Sequence, residues 1–419
     1  MSSLKNVKGK RRAISSTVMV VVAVVLMLAA GGIGYFAHPG TSSTTVTTTV
    51  GGQGSTQTVY ETTTQYGTST VQGQTSQSSG SSTPTLPTSL PATTISETGS
   101  TLLYPLFNYW VPGFTATYSN IHINTAGTGS GIGISSAAAG TVQIGASDAY
   151  LLPAQMNQYP NLLDIPLAIS AQMINYNLPG IPSTTHINMT GNILAQIYNG
   201  TVQYWDNSQI TAINPSVTLP HQIIHPLHRS DGSGDTLIFT TYLSDTNSWW
   251  KSHVGFATSV SFPGIPSAAA YNGNGGMVQG CQQTQYCIAY IGVSYKSNTE
   301  AAGLGYAFLQ NAAGKFVDIT QANIQAAAAQ MESATPPNEA ISLVYAPGPN
   351  SYPIINYEYA IVSNTQANSN TAQVVKTFLD WCTMPQNGNA ASYLNEVGFV
   401  ALPSSIATLS YAQIAQIGP

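Results

Sequence analysis

The chain has 419 residues, and charged side chains make up only 6% of it, 15 acidic against 10 basic; an ordinary soluble domain carries about 25%. Five of the basic residues (Lys5, Lys8, Lys10, Arg11, Arg12) fall within the first twelve positions, leaving five for everything after them. Nucleic-acid binding needs many Lys and Arg contacts to phosphates, so DNA and RNA are excluded as partners.

Residues 1–40 form a basic leader followed by Val18–Ala37, an uncharged apolar and glycine run. As a helix this run reaches about 30 Å, one bilayer core. The positive flank places the N-terminus in the cytoplasm and the remainder outside. No small-x-small cleavage site precedes a domain, which favours a membrane anchor over an ordinary secretory peptide. Lys10-Arg11-Arg12-Ala13 ahead of the aliphatic run also resembles archaeal pilin-type leaders, which are cut just before the run; either route keeps the apolar segment on the protein. Residues 41–98 are rich in Thr, Ser, Gly and Gln, with Glu61 the single charge before Glu97. That composition cannot bury a core and reads as a flexible stalk.

From Gly99 onward apolar clusters alternate with Gly and Pro, the texture of a folded ectodomain with α/β layers. Its first feature is Gly99-Ser-Thr-Leu102, a candidate helix start capped by Thr101. Ile121–Thr125 reads as a strand, Gly127–Gly133 as a turn, Ile134–Ala139 as a helix and Val142–Gly145 as a strand running into Ala146-Ser-Asp148. Ile223–Leu227 is the next strand, Arg229–Asp235 a turn, and Thr236–Leu243 a helix. Twice, therefore, a Gly- and Ser-rich turn opens a helix.

Such a turn is a potential anion cradle, because the first helical amides lack partners and glycine admits a ligand to the backbone. Ser130 and Ser233 either cap their own helices or face that ligand, and the sequence leaves both open. Neither turn fits a nucleotide motif: Ile132 stands where the dinucleotide fingerprint needs its third Gly, and no lysine follows Gly232. The second turn carries more weight because Arg229, the only arginine after the leader, stands four residues before Ser233. A guanidinium, a hydroxyl and helix-start amides orient an oxyanion as well as attract it. Asp148 and Asp235 in the same neighbourhood repel an anion unless it carries protons to donate. Phosphate does at neutral or acidic pH; sulfate does not.

Gly99-Ser-Thr-Leu-Leu-Tyr-Pro-Leu-Phe-Asn-Tyr-Trp110, Gly127-Thr-Gly-Ser-Gly131, Gly145-Ala-Ser-Asp148, His228-Arg-Ser-Asp-Gly-Ser-Gly-Asp235 and Tyr352-Pro-Ile-Ile-Asn-Tyr-Glu-Tyr359, in this order, resemble the phosphate-binding protein of the phosphate ABC importer. Phe378-Leu-Asp-Trp381 and Val397-Gly-Phe-Val-Ala-Leu-Pro403 extend the likeness over nearly all of 99–419. The resemblance implies a two-lobed periplasmic-binding-protein-like (type II) α/β fold with hinge strands and the ligand in the cleft, residues 99–168 and 348–419 forming one lobe and 169–347 the other. It implies inorganic phosphate and the permease subunits of an ABC transporter as partners, no cofactor and no catalysis. By motif, Thr101 and the amide of Leu102 meet phosphate at the first helix start and Ser130 at the second. Asp148 accepts a phosphate proton, Arg229 pairs with the oxygens, and Ser233 with the amide of Gly234 closes the far side. Asp235 replaces the hydroxyl residue of many members; it is either a second proton acceptor or turned away, with Thr236 or an amide serving instead.

Cys281 and Cys287 bracket five residues and suit a disulfide in an oxidising compartment, whereas Cys382 reads as a buried small hydrophobe. Asn188-Met-Thr190 and Asn199-Gly-Thr201 are glycosylation acceptors if exported. His221, His225 and His228 do not align as metal ligands, since Pro220 and Pro226 break a helix and a strand sends His228 to the opposite face. Trp249-Trp250 reads as lobe packing, or as cover for the partner-docking edge, rather than as a sugar platform. The competing functions are a cell-surface phosphate-ester hydrolase, which needs a nucleophile with a base or a metal, and a binder of another tetrahedral oxyanion.

Overall fold

The computed structural model of the chain describes residues 83–419. The expected leader and membrane segment (1–40) and the expected stalk as far as residue 82 lie outside the described residues. Among the described residues no helix is long and apolar enough to cross a membrane.

The first strand, β1 (Thr93–Gly99), lies inside the stretch assigned from composition to the stalk, so the fold begins before Gly99. Ile95 is its one large apolar residue. Parallel pairing with β2 (Ile121–Asn124) on one side and β3 (Ile144–Ser147) on the other nevertheless buries Glu97 and Thr98. Between β1 and β2 runs α1 (Tyr104–Thr117), which turns Leu106, Phe107, Trp110 and Phe114 inward at helical spacing. Trp110 Nε1 donates to the Gly388 carbonyl, 2.7 Å. Helix α1 is opened by Ser100, not by Thr101 as expected: Ser100 Oγ accepts from the amides of Leu102 (3.1 Å) and Leu103 (2.9 Å).

Helix α2 (Ser130–Ala138) starts four residues earlier than its sequence suggests. Two of the glycines that read as turn, Gly131 and Gly133, are interior to it, and close packing requires them: a Cβ on Gly133 would lie 2.4 Å from the carbonyl oxygen of Ala146 on β3. Helix α3 (Pro153–Gln158) then leads to β4 (Leu162–Tyr176), fifteen residues, all but one of them buried. A strand buried on both faces carries an almost unbroken apolar sequence, here interrupted by Asp164, Ser170, Gln172 and Asn175.

The other half contributes β5 (His225–Arg229), α4 (Gly234–Thr246), β6 (Ala269–Tyr271), α5 (Gly273–Gln283) and β7 (Cys287–Gly292). The chain returns through β8 (Ile355–Ser363), α6 (Ser369–Thr383) and α7 (Ser404–Ile414). One sheet runs in the order β2-β1-β3-β8-β4-β7-β5-β6. Its lobes meet on β4, which pairs antiparallel with β8 from Leu162 to Ala171 and with β7 from Gln172 to Tyr176. The change of partner between Ala171 and Gln172 is the crossing point of the two-lobed α/β fold. Cys281 at the end of α5 and Cys287 at the start of β7 form a disulfide, Cα atoms 5.6 Å apart. Cys382 is buried on α6, where burial pushes its thiol well up.

Candidate functional site

Three helix starts and the end of β5 lie around the crossing point. In the β1–β3 lobe, Ser130 opens α2 and its Oγ donates to Asp148 Oδ1, 3.2 Å, while accepting from the Asp148 amide, 3.3 Å. Asp148 follows β3 and is 2% exposed. Burial, then the charge of Asp235, pushes its carboxyl above the ordinary range, against the pull of Ser100, Arg229 and Ser130. Asn356 on β8 ties its backbone down, Nδ2 donating to the Asp148 carbonyl at 3.1 Å.

In the other lobe Arg229 ends β5 with its guanidinium buried. Nε donates to Asp231 Oδ1, 2.7 Å, Nη2 to Asp231 Oδ2, and Nη1 to Asp235 Oδ2, 2.7 Å. Three of its five N–H groups are thus committed to carboxylates and two remain. Burial opposes the charge, but Asp231 and Asp235 more than offset it and hold the guanidinium firmly protonated. For Asp231, burial works upward, and the bonds from Arg229 and the Gly273 amide bring the carboxyl below the ordinary range.

Asp235 is fully buried in the first turn of α4. Oδ1 accepts from Gln172 Nε2 at 3.1 Å and Oδ2 from Asn274 Nδ2 at 2.7 Å as well as from Arg229. Burial raises its carboxyl overall, with Arg229, Gln172 and Asn274 opposing. Both oxygens therefore face donors of the protein.

The lobes touch at this point. Thr101 Oγ1 accepts from the Asn274 amide (3.2 Å) and Asn274 Nδ2 (3.0 Å). The Gly131 amide donates to the Gly232 carbonyl, 2.9 Å. A Cβ on Gly234 would come 2.7 Å from Asp148 Oδ2, so only glycine lets the carboxylate of one lobe approach the helix start of the other. Ser233 caps α4, its side chain accepting from the Thr236 amide at 3.4 Å, and Thr236 Oγ1 is 2.8 Å from Tyr290 OH. Among the described residues no protein acceptor is found for the amides of Thr101, Ser130, Gly234 and Asp235. The Leu102 amide is taken by Ser100.

The structure thus gathers Thr101, Ser130, Asp148, Arg229, Ser233, Gly234 and Asp235 at one seam, with Leu102 beside it but its amide already bonded. Sequence reasoning assigned no role to Asp231, Asn274, Gln172 or Glu358. Asp231 stood in the quoted turn two residues after Arg229, a spacing that suits a fork. Gln172 and Glu358 were visible as polar interruptions of apolar strands. Glu358, fully buried on β8, accepts from Ser170 Oγ at 2.5 Å and Asn356 Nδ2 at 3.2 Å. Burial, then the charge of Asp148, pushes it well up. Nothing in the sequence pointed to Asn274.

The histidines are dispersed: His221 bonds Asp206, His225 Nδ1 meets the Ser267 carbonyl, and His228 stacks on Phe262. Trp250 is buried, whereas Trp249 is 41% exposed and stacks on His253, so only one of the pair serves packing.

Residues 41–386 match the family model described as a PBP superfamily domain. The phosphate-binding protein PstS of Methanocaldococcus jannaschii is 32% identical over 341 residues, covering 77% of this chain and 86% of that one. PstS of Xylella fastidiosa is 30% identical over 331 residues, 79% of this chain and 87% of the relative. Among solved structures, the phosphate-binding protein of Stenotrophomonas maltophilia superposes with a TM-score of 0.56 at 19% identity, covering 77% of this chain and 94% of the other; this is a likeness of fold.

Proposed function

The chain belongs to the PBP superfamily and, within it, to the PstS phosphate-binding proteins, and from that premise we propose that it binds inorganic phosphate outside the cytoplasm and delivers it to the permease of a phosphate ABC transporter. The observation that carries this reading is the meeting of Asp148, a buried acceptor of one lobe, with the glycine-bearing start of α4 beside Arg229 in the other. A tetrahedral oxyanion there receives N–H groups from Arg229, Gly234, Ser130 and Thr101, and must give a proton to Asp148. Monobasic or dibasic phosphate can do so.

In this reading Thr101, Ser130, Asp148, Arg229, Ser233 and Gly234 touch the ligand, and the amide of Thr101 takes the part expected of Leu102. Asp231 and Asp235 hold the guanidinium in plane from two sides, so Asp235 orients Arg229 through its side chain and offers the ligand its amide. We assign 99–168 with 348–419 to one lobe, β1 included, and 169–347 to the other. The leader (1–40) anchors or targets the protein to the membrane, and the stalk (41–98, less β1) spaces the lobes from it.

No catalytic step belongs to this function. Ser130 donates to Asp148 and Ser233 caps α4 through the Thr236 amide, so among the described residues neither serine is hydrogen-bonded to a histidine in the manner of a hydrolase triad. The test is calorimetric titration of the purified protein with phosphate and with sulfate, alongside p-nitrophenyl phosphate hydrolysis. Saturable one-to-one phosphate binding without turnover is expected; absence of phosphate heat, or ester hydrolysis lost on Ser130→Ala, overturns it.

A further inference from the structure

A second feature lies at the opposite end of β4, eight residues before Gln172 and, at 3.3 Å per residue, roughly 25 Å along the strand. There a cavity of about 380 Å³ opens between α3, the start of β4, the Pro337–Asn338 loop and the end of α7. Met156, Tyr159, Leu162 and Leu163 make apolar walls, Asn338, Gln413 and Gln416 add amides, and Asp164 is the one acidic residue of the lining. Asp164 is 4% exposed. Its Oδ1 accepts from the Leu151 amide at 2.9 Å, and among the described residues no hydrogen bond reaches Oδ2; the residue lines the cavity.

A buried carboxylate without a counter-charge is costly. Among the described residues no cation offsets this one: its titratable neighbours are Glu339, Tyr150 and Tyr359. Glu339 cannot serve as a donor network, since its own oxygens are occupied by Ser410 Oγ (3.0 Å) and Gln413 Nε2 (2.6 Å). It sits in left-handed backbone at φ 55°, a strained conformation of the kind that clusters at ligand sites. Burial pushes Asp164 up to about 7 and Glu339 up to about 8.

We propose that this cavity is a binding site for a small primary alkylammonium ion, its N–H groups donating to Asp164 Oδ2 and its chain lying along Met156, Tyr159, Leu162 and Leu163. The pairing follows from the chemistry of the walls. A hydrated metal ion finds a single carboxylate beside the neutral amide side chains of Asn338, Gln413 and Gln416 and otherwise apolar walls, too little anionic charge for a calcium or magnesium site. A neutral alkane leaves the carboxylate without a partner. An ammonium on a short aliphatic stem satisfies both. The site is independent of the phosphate reading, since it shares no residue with the seam between the lobes.

The experiment titrates the full chain in detergent, without phosphate, with n-butylammonium, tetramethylammonium and butan-1-ol at equal ionic strength, by calorimetry and thermal melting. Saturable n-butylammonium binding is expected, with tetramethylammonium and butanol about tenfold weaker or worse, one ionic contact's worth. Asp164→Asn should abolish the preference. Met156→Lys, which supplies the ammonium from α3, should block the ligand and raise the melting temperature, and it decides the matter if Asp164→Asn fails to fold. Phosphate affinity should be unchanged in both variants. No saturable binding, butanol binding equal to the amine, or amine binding that survives either substitution overturns the proposal.

Discussion

Thr101, in the lobe of β1, and Asn274, at the start of α5 in the other, form a side-chain contact across the seam: Thr101 Oγ1 receives both the amide and the side-chain nitrogen of Asn274. The same Asn274 Nδ2 donates to Asp235 Oδ2, and its Oδ1 accepts from the Gly292 amide at 2.8 Å. One amide side chain therefore joins the opposite lobe, the carboxylate behind Arg229 and the end of β7. Asn274→Ala should weaken phosphate binding by roughly 10- to 100-fold, the scale of hydrogen bonds to a charged group left unmade. Calorimetry checks this, with circular dichroism confirming the fold; an affinity within threefold of the parent would show that closure does not depend on the link.

Among the described residues Arg229 supplies the permanent positive charge at the seam. Arg229→Ala should reduce phosphate affinity by about 2–5 kcal/mol, because an anion and two carboxylates are left facing one another. Arg229→Lys should recover little of it, since an ammonium cannot hold Asp231 and Asp235 in a fork and still present two N–H groups. A lysine variant that binds like the parent would mean that charge alone suffices.

Asp148 has only acceptor oxygens when ionised. Fully deprotonated sulfate places two negative oxygens in contact, whereas a phosphate hydroxyl donates. Asp148→Asn should therefore narrow the phosphate-to-sulfate ratio by at least about tenfold, mostly by admitting sulfate. Competition binding at constant pH measures the ratio, and a variant that still excludes sulfate as strongly as the parent would refute the role.

Three buried acids away from the seam set a pH dependence of stability. Burial lifts Glu97 to about 8, Glu339 to about 8 and Asp164 to about 7. Each folded-state value lies above the unfolded one, so the fold holds protons that the unfolded chain has released. Stability is then greatest below the ordinary carboxyl range and declines as pH rises through 7 to 8. The melting temperature should fall on the order of 10 °C between pH 5 and pH 8.5. Glu97→Gln should flatten the decline; a melting temperature level across that range would contradict it.

Much of the site was legible because its chemistry is rare in this chain. A lone arginine inside a Gly- and Ser-rich turn, and an Asp directly after a strand, stand out against a composition with so few charges. The supporting residues were not legible for a spatial reason. Asn274 reaches Asp235 only because β6 and α5 are placed beside β5, and Gln172 only because β4 crosses between lobes at that residue. The start of α2 was misjudged because Gly131 and Gly133 signal a turn locally, while their function is set by backbone packed against them from elsewhere. β1 was misjudged because pairing on both sides, not apolar content, buries it.

The contact between Gly131 and Gly232 has a consequence for dimension. A Cβ on Gly131 would meet Gly232 Cα at 3.1 Å, and the Gly131 amide already reaches the Gly232 carbonyl. The two halves thus come to rest main chain against main chain, where no rotamer can yield. Side chains adapt to a larger guest; peptide planes do not. The space in which phosphate is proposed to bind is therefore limited by main chain at this contact, and its width should not depend on what enters. Condensed phosphates and esters with a fourth substituted oxygen should hold the jaws ajar, and only a free tetrahedral ion lets them meet.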